Sequence, residues 1–411
     1  MHRRGFLKLP LLAALAPLQG RAHADNGETG SMTDHSDTRG QHAISPLTLF
    51  LCGDVMTGRG IDQVLPYPSE PSLYEPYIRS AVDYVRIAER ANGRIPRPVS
   101  FDYVWGDALQ ALDEAAADVR IINLETAITR SDDYWPGKGI NYRMHPHNLA
   151  CLGAAGVDCC VLANNHVLDW GHAGLRETLA TLRQAGIKTA GAGEDLAEAM
   201  QAAIFDIDDK RRVIVFSFGS PTSGIPPAWS ASADRAGVWL LPDFSRESLA
   251  AVARQARALK RSGDVLVASI HWGGNWGYRV PREQRRFAHA LIDEALVDVV
   301  HGHSSHHPKG IEVYRERLIL YGCGDFLNDY EGISSHEKYR GDLTLMYLPK
   351  LDARDGRLLS LRMRPMQVRR FRLNHASQHD ARWLARVLDS EGRKLGTGIE
   401  LDNGSLWLRW S

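Results

Sequence analysis

Apolar residues in this chain gather in short runs that alternate with polar and amphipathic stretches. The runs are Leu47 to Val55, Val119 to Leu124, Val157 to Leu162, Val213 to Phe218, Val265 to Ile270, Val297 to Val300, Leu318 to Tyr321, and Leu343 to Leu348. Short, β-branched runs of this kind predict strands buried on both faces. Amphipathic segments such as Ala173 to Ala185 and Arg282 to Leu296 predict helices between several of them. Strands separated by helices imply an α/β architecture with buried sheets. Two stretches break the pattern: residues 56–105, with Pro66, Pro68, Pro71, Pro76, Pro96 and Pro98, and residues 129–148, with Trp135-Pro136-Gly137. Loops of that length in a compact domain are usually functional. Beyond Leu348 the pattern predicts a basic strand pair within Leu358 to Val368, a helix around Arg382 to Gly392, and a last strand from Ser405 to Trp410.

The start of the chain reads differently. Arg3-Arg4 precede a short apolar run from Leu9 to Leu18, followed by Ala22-His23-Ala24. Twin arginines, a weakly apolar core and a small-x-small site resemble a twin-arginine export signal cut after Ala24. Residues 25–45 are polar and aperiodic, as expected of a disordered linker. No later apolar stretch reaches the length of about 20 residues needed to span a bilayer, so the expected mature protein is soluble and periplasmic. Lys+Arg and Asp+Glu are both 49 in 411 residues, which gives no electrostatic case for a nucleic-acid partner. The cysteine count is 5, an odd number without zinc-knuckle spacing, and Cys159-Cys160 lie inside a strand pattern where a thiol simply packs.

Chemistry concentrates just past the ends of the apolar runs. Gly53-Asp54, Asn123-Leu124-Glu125, Asn164-Asn165-His166 with Asp169, His271-Trp272-Gly273, and Gly302-His303-Ser304-Ser305-His306 each supply Asp, Glu, Asn or His there. In α/β sheets the ligand site gathers at the carboxyl ends of strands, and this donor set suits a hard or borderline divalent ion. Glu125 closes an apolar run, where an unpaired carboxylate is costly; a metal or a salt bridge resolves that cost. His166 is free to act as a general acid, with Asp169 orienting its ring. His301 and His307 read as supporting or structural histidines.

These motifs resemble the CapA (poly-γ-glutamate capsule synthesis) proteins, a branch of the calcineurin-like metallophosphatase superfamily. Gly-Asp-Val-Met-x-Gly-Arg is matched by Gly53 to Arg59, Asn-Leu-Glu by Asn123 to Glu125, and Ala-Asn-Asn-His-x-x-Asp by Ala163 to Asp169. His-Trp-Gly is matched by His271 to Gly273, and Gly-His-x-x-His by Gly302 to His306. The resemblance implies a four-layer αββα sandwich over residues 46–350, with residues 351–411 as a strand and helix extension packed on it. It also implies two divalent ions (Mn, Fe or Zn) held by Asp54, Glu125, Asn165, His271, His303 and His306. Catalysis would use His166, Asp169 and Arg59, the last to neutralise phosphoryl charge. Two positions depart from the pattern. Met56 stands where the broader superfamily has His, which thins one ligand set, and Asp325 replaces the Asn of Ser-Leu-Gly-Asn-Phe, adding either a ligand or a substrate contact. The expected function is a hydrolase of phosphoester type in poly-γ-glutamate or envelope-polymer synthesis. Its substrate would be a phosphoester or anionic envelope polymer, and its partners a capsule export or ligase assembly. The alternative is a non-catalytic, metal-dependent polyglutamate-binding factor.

Overall fold

A computed structural model describes residues 46–333 and 336–411. The expected export signal and linker lie outside the described residues. Every strand expected from an apolar run up to Leu348 is present; Leu47–Val55 and Val119–Leu124 keep the expected bounds, and the others shift by up to about three residues at an end. The first sheet runs, edge to edge, through Thr397–Asp402, Ser405–Trp410, Leu358–Val368, Leu343–Leu351, Leu47–Val55, Val119–Leu124, Cys159–Val161 and Lys188–Ala190. The second runs through Ile311–Tyr314, Arg317–Leu320, Val299–His303, Val265–His271, Arg212–Gly219 and Ala203–Asp206.

Side chains alternate between the two faces of a strand, and that alternation sorts the core into layers. Leu47, Leu49 and Leu51 meet Val213, Val215, Val265 and Val267 between the sheets. From the same first strand, Phe50 and Cys52 point outward onto Val85 and Ala88 of the helix Ala81–Asn92, and onto Leu175, Leu179 and Leu182 of Gly171–Gln184. Ile214, Phe216, Leu266 and Ala268 of the second sheet pack outward on Leu249, Val252, Phe287 and Leu291, carried by Arg246–Leu259 and Arg282–Ala295. Helix, sheet, sheet and helix follow one another, giving the αββα sandwich. All five cysteines are buried and free. Among the described residues no helix is long and apolar enough to cross a membrane.

Three details differ from expectation. The proline-rich stretch holds the helix Ala81–Asn92, because Ala81, Tyr84, Val85 and Ala88 fall on one buried face. Leu358–Val368 is a single strand of 11 residues rather than a pair; Leu361 and Met363 are buried, and Arg362 and Arg364 alternate with them on the other face. The final strand forms a hairpin with an unanticipated one, Thr397–Asp402. Leu343–Leu351 pairs antiparallel along Leu358–Val368, which in turn pairs with Ser405–Trp410. The residues after 350 therefore continue the first sheet.

Candidate metal centre

The parallel strands of both sheets end beside one another, and register fixes which side chains meet. Asp54 stands opposite Asn123 on one side and Asp325 on the other, while His271 stands opposite His303. The close approach of Asp54 to Asp325 depends on the glycine before each. A Cβ on Gly53 would come within 1.6 Å of the Gly324 carbonyl oxygen, and Gly324 has a φ of +79°. The Asp54 N–H donates to that same carbonyl at 3.1 Å.

Two sets of donors result, and they share a carboxylate. Asp54, His271 and His303 form one, and Asp54, His306 and Asp325 the other; within each, the ligand atoms lie within 4.8 Å of one another. His271 and His303 turn their Nδ1 atoms toward each other at 2.8 Å. His306 Nδ1 lies 2.8 Å from Asp325 Oδ1. Glu125 is at the edge of the first set, with Oε2 4.0 Å from His271 Nδ1. Asn165 is half-exposed and places its carbonyl oxygen 3.0 Å from His271 Nε2. All six expected metal-binding residues thus converge, and Asp325 joins them. Met56 is fully buried, with its sulfur 3.5 Å from the Tyr330 hydroxyl.

The donor set fits divalent cations. Asp54 Oδ2 is buried without a hydrogen-bond partner, an arrangement that costs free energy unless a cation completes it. Burial, and then the negative charge of Asp325, push the Asp54 carboxyl up to about 7. Burial pushes Glu125 upward as well, with Asp54 and Asp325 adding to it. A carboxylate cluster of this kind is relieved by positive charge at its centre. His271 and His303 are held neutral chiefly by burial, the form in which imidazole binds metal.

Surrounding residues hold these donors in place. Asn123 donates to Asp54 Oδ1 at 2.8 Å and to Glu125 Oε2 at 3.0 Å. Asn164 donates to Asn123 and to the Leu124 carbonyl, and accepts the His166 N–H. His301 bridges the sheets, from Ser269 Oγ to the Cys52 carbonyl. His307 accepts the Gly277 N–H.

His166 and Asp169 sit beside the cluster as a pair, His166 Nδ1 lying 2.7 Å from Asp169 Oδ2. Asp169 also accepts the Tyr142 N–H at 2.6 Å. His166 Nε2 points toward Glu125, 3.8 Å from Oε1. Burial pushes the imidazole down to about 4. A third group stands with them that sequence reasoning missed. Lys138 is largely buried, its side chain 10% exposed, with Nζ 2.7 Å from Asp169 Oδ1, 2.9 Å from His166 Nδ1 and 3.1 Å from the Ile140 carbonyl. Burial lowers the pKa of this ammonium against the pull of Asp169. Its only signal in the sequence was its place in the aromatic loop of residues 129–148.

Arg59 is placed otherwise than expected. Its Nε and Nη2 donate to Asp329 at 2.8 and 2.6 Å, and Nη1 donates to Glu75 at 2.8 Å. The guanidinium also lies 3.6 Å from the centre of the Tyr84 ring. Two carboxylates already balance its charge, so it braces the wall of the site, and the cation beside His166 is Lys138.

The chain is similar to several known proteins. The family model for bacterial capsule synthesis proteins (PGA_cap) matches residues 48–330. A Mycobacterium tuberculosis protein named as a probable polyglutamine synthesis accessory protein is 50% identical over 354 residues, covering 86% of this chain and 93% of the relative. The PGA biosynthesis protein CapA of Bacillus subtilis is 24% identical over 329 residues, covering 80% of this chain and 73% of the relative. A novel phosphatase of Mycoplasma pneumoniae aligns over 78% of this chain and 94% of its own, at 10% identity and a TM-score of 0.43.

Proposed function

Because this chain belongs to the bacterial capsule synthesis (PGA_cap) family, we propose that it is an exported accessory protein of polyglutamate or related envelope-polymer synthesis that hydrolyses a phosphoester. The observation that carries the reading is Asp54 shared between two donor sets, with the His166–Asp169 pair alongside. Asp54, His271 and His303, with Glu125 and Asn165, would hold one ion; Asp54, His306 and Asp325 would hold the other. Divalent ions of Mn, Fe or Zn type supply Lewis acidity toward a phosphoryl oxygen and an activated water when bound.

The chain's own residues supply the rest. Asp169 fixes the His166 ring through Nδ1 and leaves Nε2 facing the cluster. The ring is neutral in the free protein, and an anionic ester arriving beside Nε2 favours its protonated form. That proton is then available to the leaving oxygen. Lys138 holds Asp169 in place and ties the loop of residues 129–148 to the pair.

The test uses purified full chain loaded with Mn or Zn and an aryl phosphate. Turnover lost in His166→Ala with metal content retained supports the reading. Metal-dependent polyglutamate binding without turnover in the wild type replaces it with the non-hydrolytic alternative.

A further inference from the structure

A cavity of about 740 Å³ adjoins the candidate metal centre, sharing His306 with it, and is lined also by Tyr330, Pro76, Tyr77, Trp276 and Val368. Its charged groups are largely balanced by the fold. Arg59 is matched by Asp329 and Glu75. Arg340 is matched by Asp342 and Asp380. Glu331 accepts the N–H groups of Arg370 and Phe371 and an amide hydrogen of Asn92. The remaining pair, Arg369 and Glu337, are one of each sign. A long chain of carboxylates therefore meets no surplus of cations here. Apolar and aromatic surface, by contrast, is on offer. Tyr77, Ile140 and Ile333, exposed by 92%, 41% and 39%, all line this cavity, and exposed apolar side chains grouped in this way mark ligand grooves, whereas single ones are ordinary.

We propose that the cavity receives an apolar body carried on the anionic head that the metal centre grips, so that the ligand is an amphipathic ester rather than a bare polyanion. The inference rests on the phosphoester reading of the centre and names the class of its ligand. Head and body divide the work. The donors around Asp54 select a small oxyanion, and the walls at Tyr77, Ile140 and Trp276 reward the hydrocarbon attached to it. Such division is usual for small-molecule sites, which are mostly apolar with a few placed polar groups.

The experiment is calorimetric binding to the Mn-loaded full chain, using inorganic phosphate, polyglutamate oligomers, and n-alkyl phosphates from ethyl to octyl. Each added methylene is expected to tighten binding by about fourfold, equivalent to about 0.8 kcal/mol per buried CH₂, until the cavity is filled. Over the roughly six methylenes from ethyl to octyl the ratio is expected to approach about 4,000-fold, and to fall several-fold in Ile140→Asp and in Trp276→Ala. A flat series in the wild type overturns the proposal, as does polyglutamate binding more tightly than octyl phosphate. The same series with carboxylate heads separates the two claims. A chain-length gain on carboxylates with no binding of phosphate leaves the cavity standing and removes the phosphoester reading. Phosphate binding without any chain-length gain does the reverse.

Discussion

Replacing Lys138 by methionine removes the ammonium while keeping most of the buried stem. At the 2.7 Å between Nζ and Asp169 Oδ1, an effective dielectric of about 20 gives a gross attraction of about 6 kcal/mol. Desolvation offsets part of this, and breaking one side of a buried pair costs about 3–5 kcal/mol. The lysine side chain is 10% exposed, so a value of about 3 kcal/mol, at the low end, is expected from urea unfolding. Asp169→Asn removes the other partner and is expected to cost about 2 kcal/mol, since a lone buried lysine can shed its proton. The double variant is expected to be no worse than Lys138→Met alone, because neither charge is left behind. Activity carries a second signature. If Lys138 acts through Asp169 and His166, the variant loses at least tenfold more on alkyl phosphates than on 4-nitrophenyl phosphate, whose leaving group needs little protonation. Additive stability costs in the double variant would falsify the coupling, and an equal loss on both esters would reduce Lys138 to a structural residue.

Other consequences can be checked independently. Asp54→Ala is expected to lose both equivalents of metal by elemental analysis, whereas Asp325→Asn keeps about one; loss of only about one equivalent in Asp54→Ala would show that the two sets are not joined through Asp54. Glu312 accepts Arg285, Tyr321 and His289 at 2.6, 2.6 and 3.1 Å, and these bonds outweigh burial and hold its carboxyl below its usual value. A depressed folded pKa stabilises above the unfolded value of about 4.3 and is lost as pH falls through the folded value. The stability gap between wild type and Glu312→Gln should therefore be full at pH 7 and close below pH of about 4; a gap independent of pH would contradict this. Trp105 is fully buried and donates to the Cys151 carbonyl at 2.6 Å, so Trp105→Ala is expected to cost about 3–5 kcal/mol in chemical denaturation. The proposed export is tested by replacing both Arg3 and Arg4 with lysine: retention of the uncut chain in the cytoplasmic fraction is expected, and an unchanged distribution would refute a twin-arginine signal.

The strands were legible because each is buried on both faces and so is written as an uninterrupted apolar run. Leu47–Val55 is buried along its whole length, and its ends could be read almost to the residue. The helix Ala81–Asn92 was hidden by its neighbours. The prolines that mark the stretch as a loop all lie before Ala81 or after Asn92, where they border the helix without interrupting it. Leu358–Val368, expected as a basic strand pair, is one strand, and its arginines Arg362 and Arg364 alternate with the buried Leu361 and Met363 as a single strand requires.

The site divided in the same way, between what is local and what is assembled. Asp54, His271 and His303 follow directly from strand ends in parallel register, so their convergence is a property of short segments repeated along the chain. Lys138 has no such local sign, since a lysine in a polar loop is ordinarily solvated. It becomes a buried partner of Asp169 only because the chain around residue 229 places an indole 5.6 Å from its ammonium, and because Asp169 and Ile140 take up its donors. Arg59 is paired otherwise than its motif suggested, for the complementary reason. Its motif position is correct, but the carboxylate that captures it, Asp329, comes from 270 residues further along the chain. Motifs at strand ends specify which donors the centre contains, whereas the charges that tune those donors are set by long-range packing. The second layer must therefore be sought wherever a buried ionisable side chain lies within reach of the first.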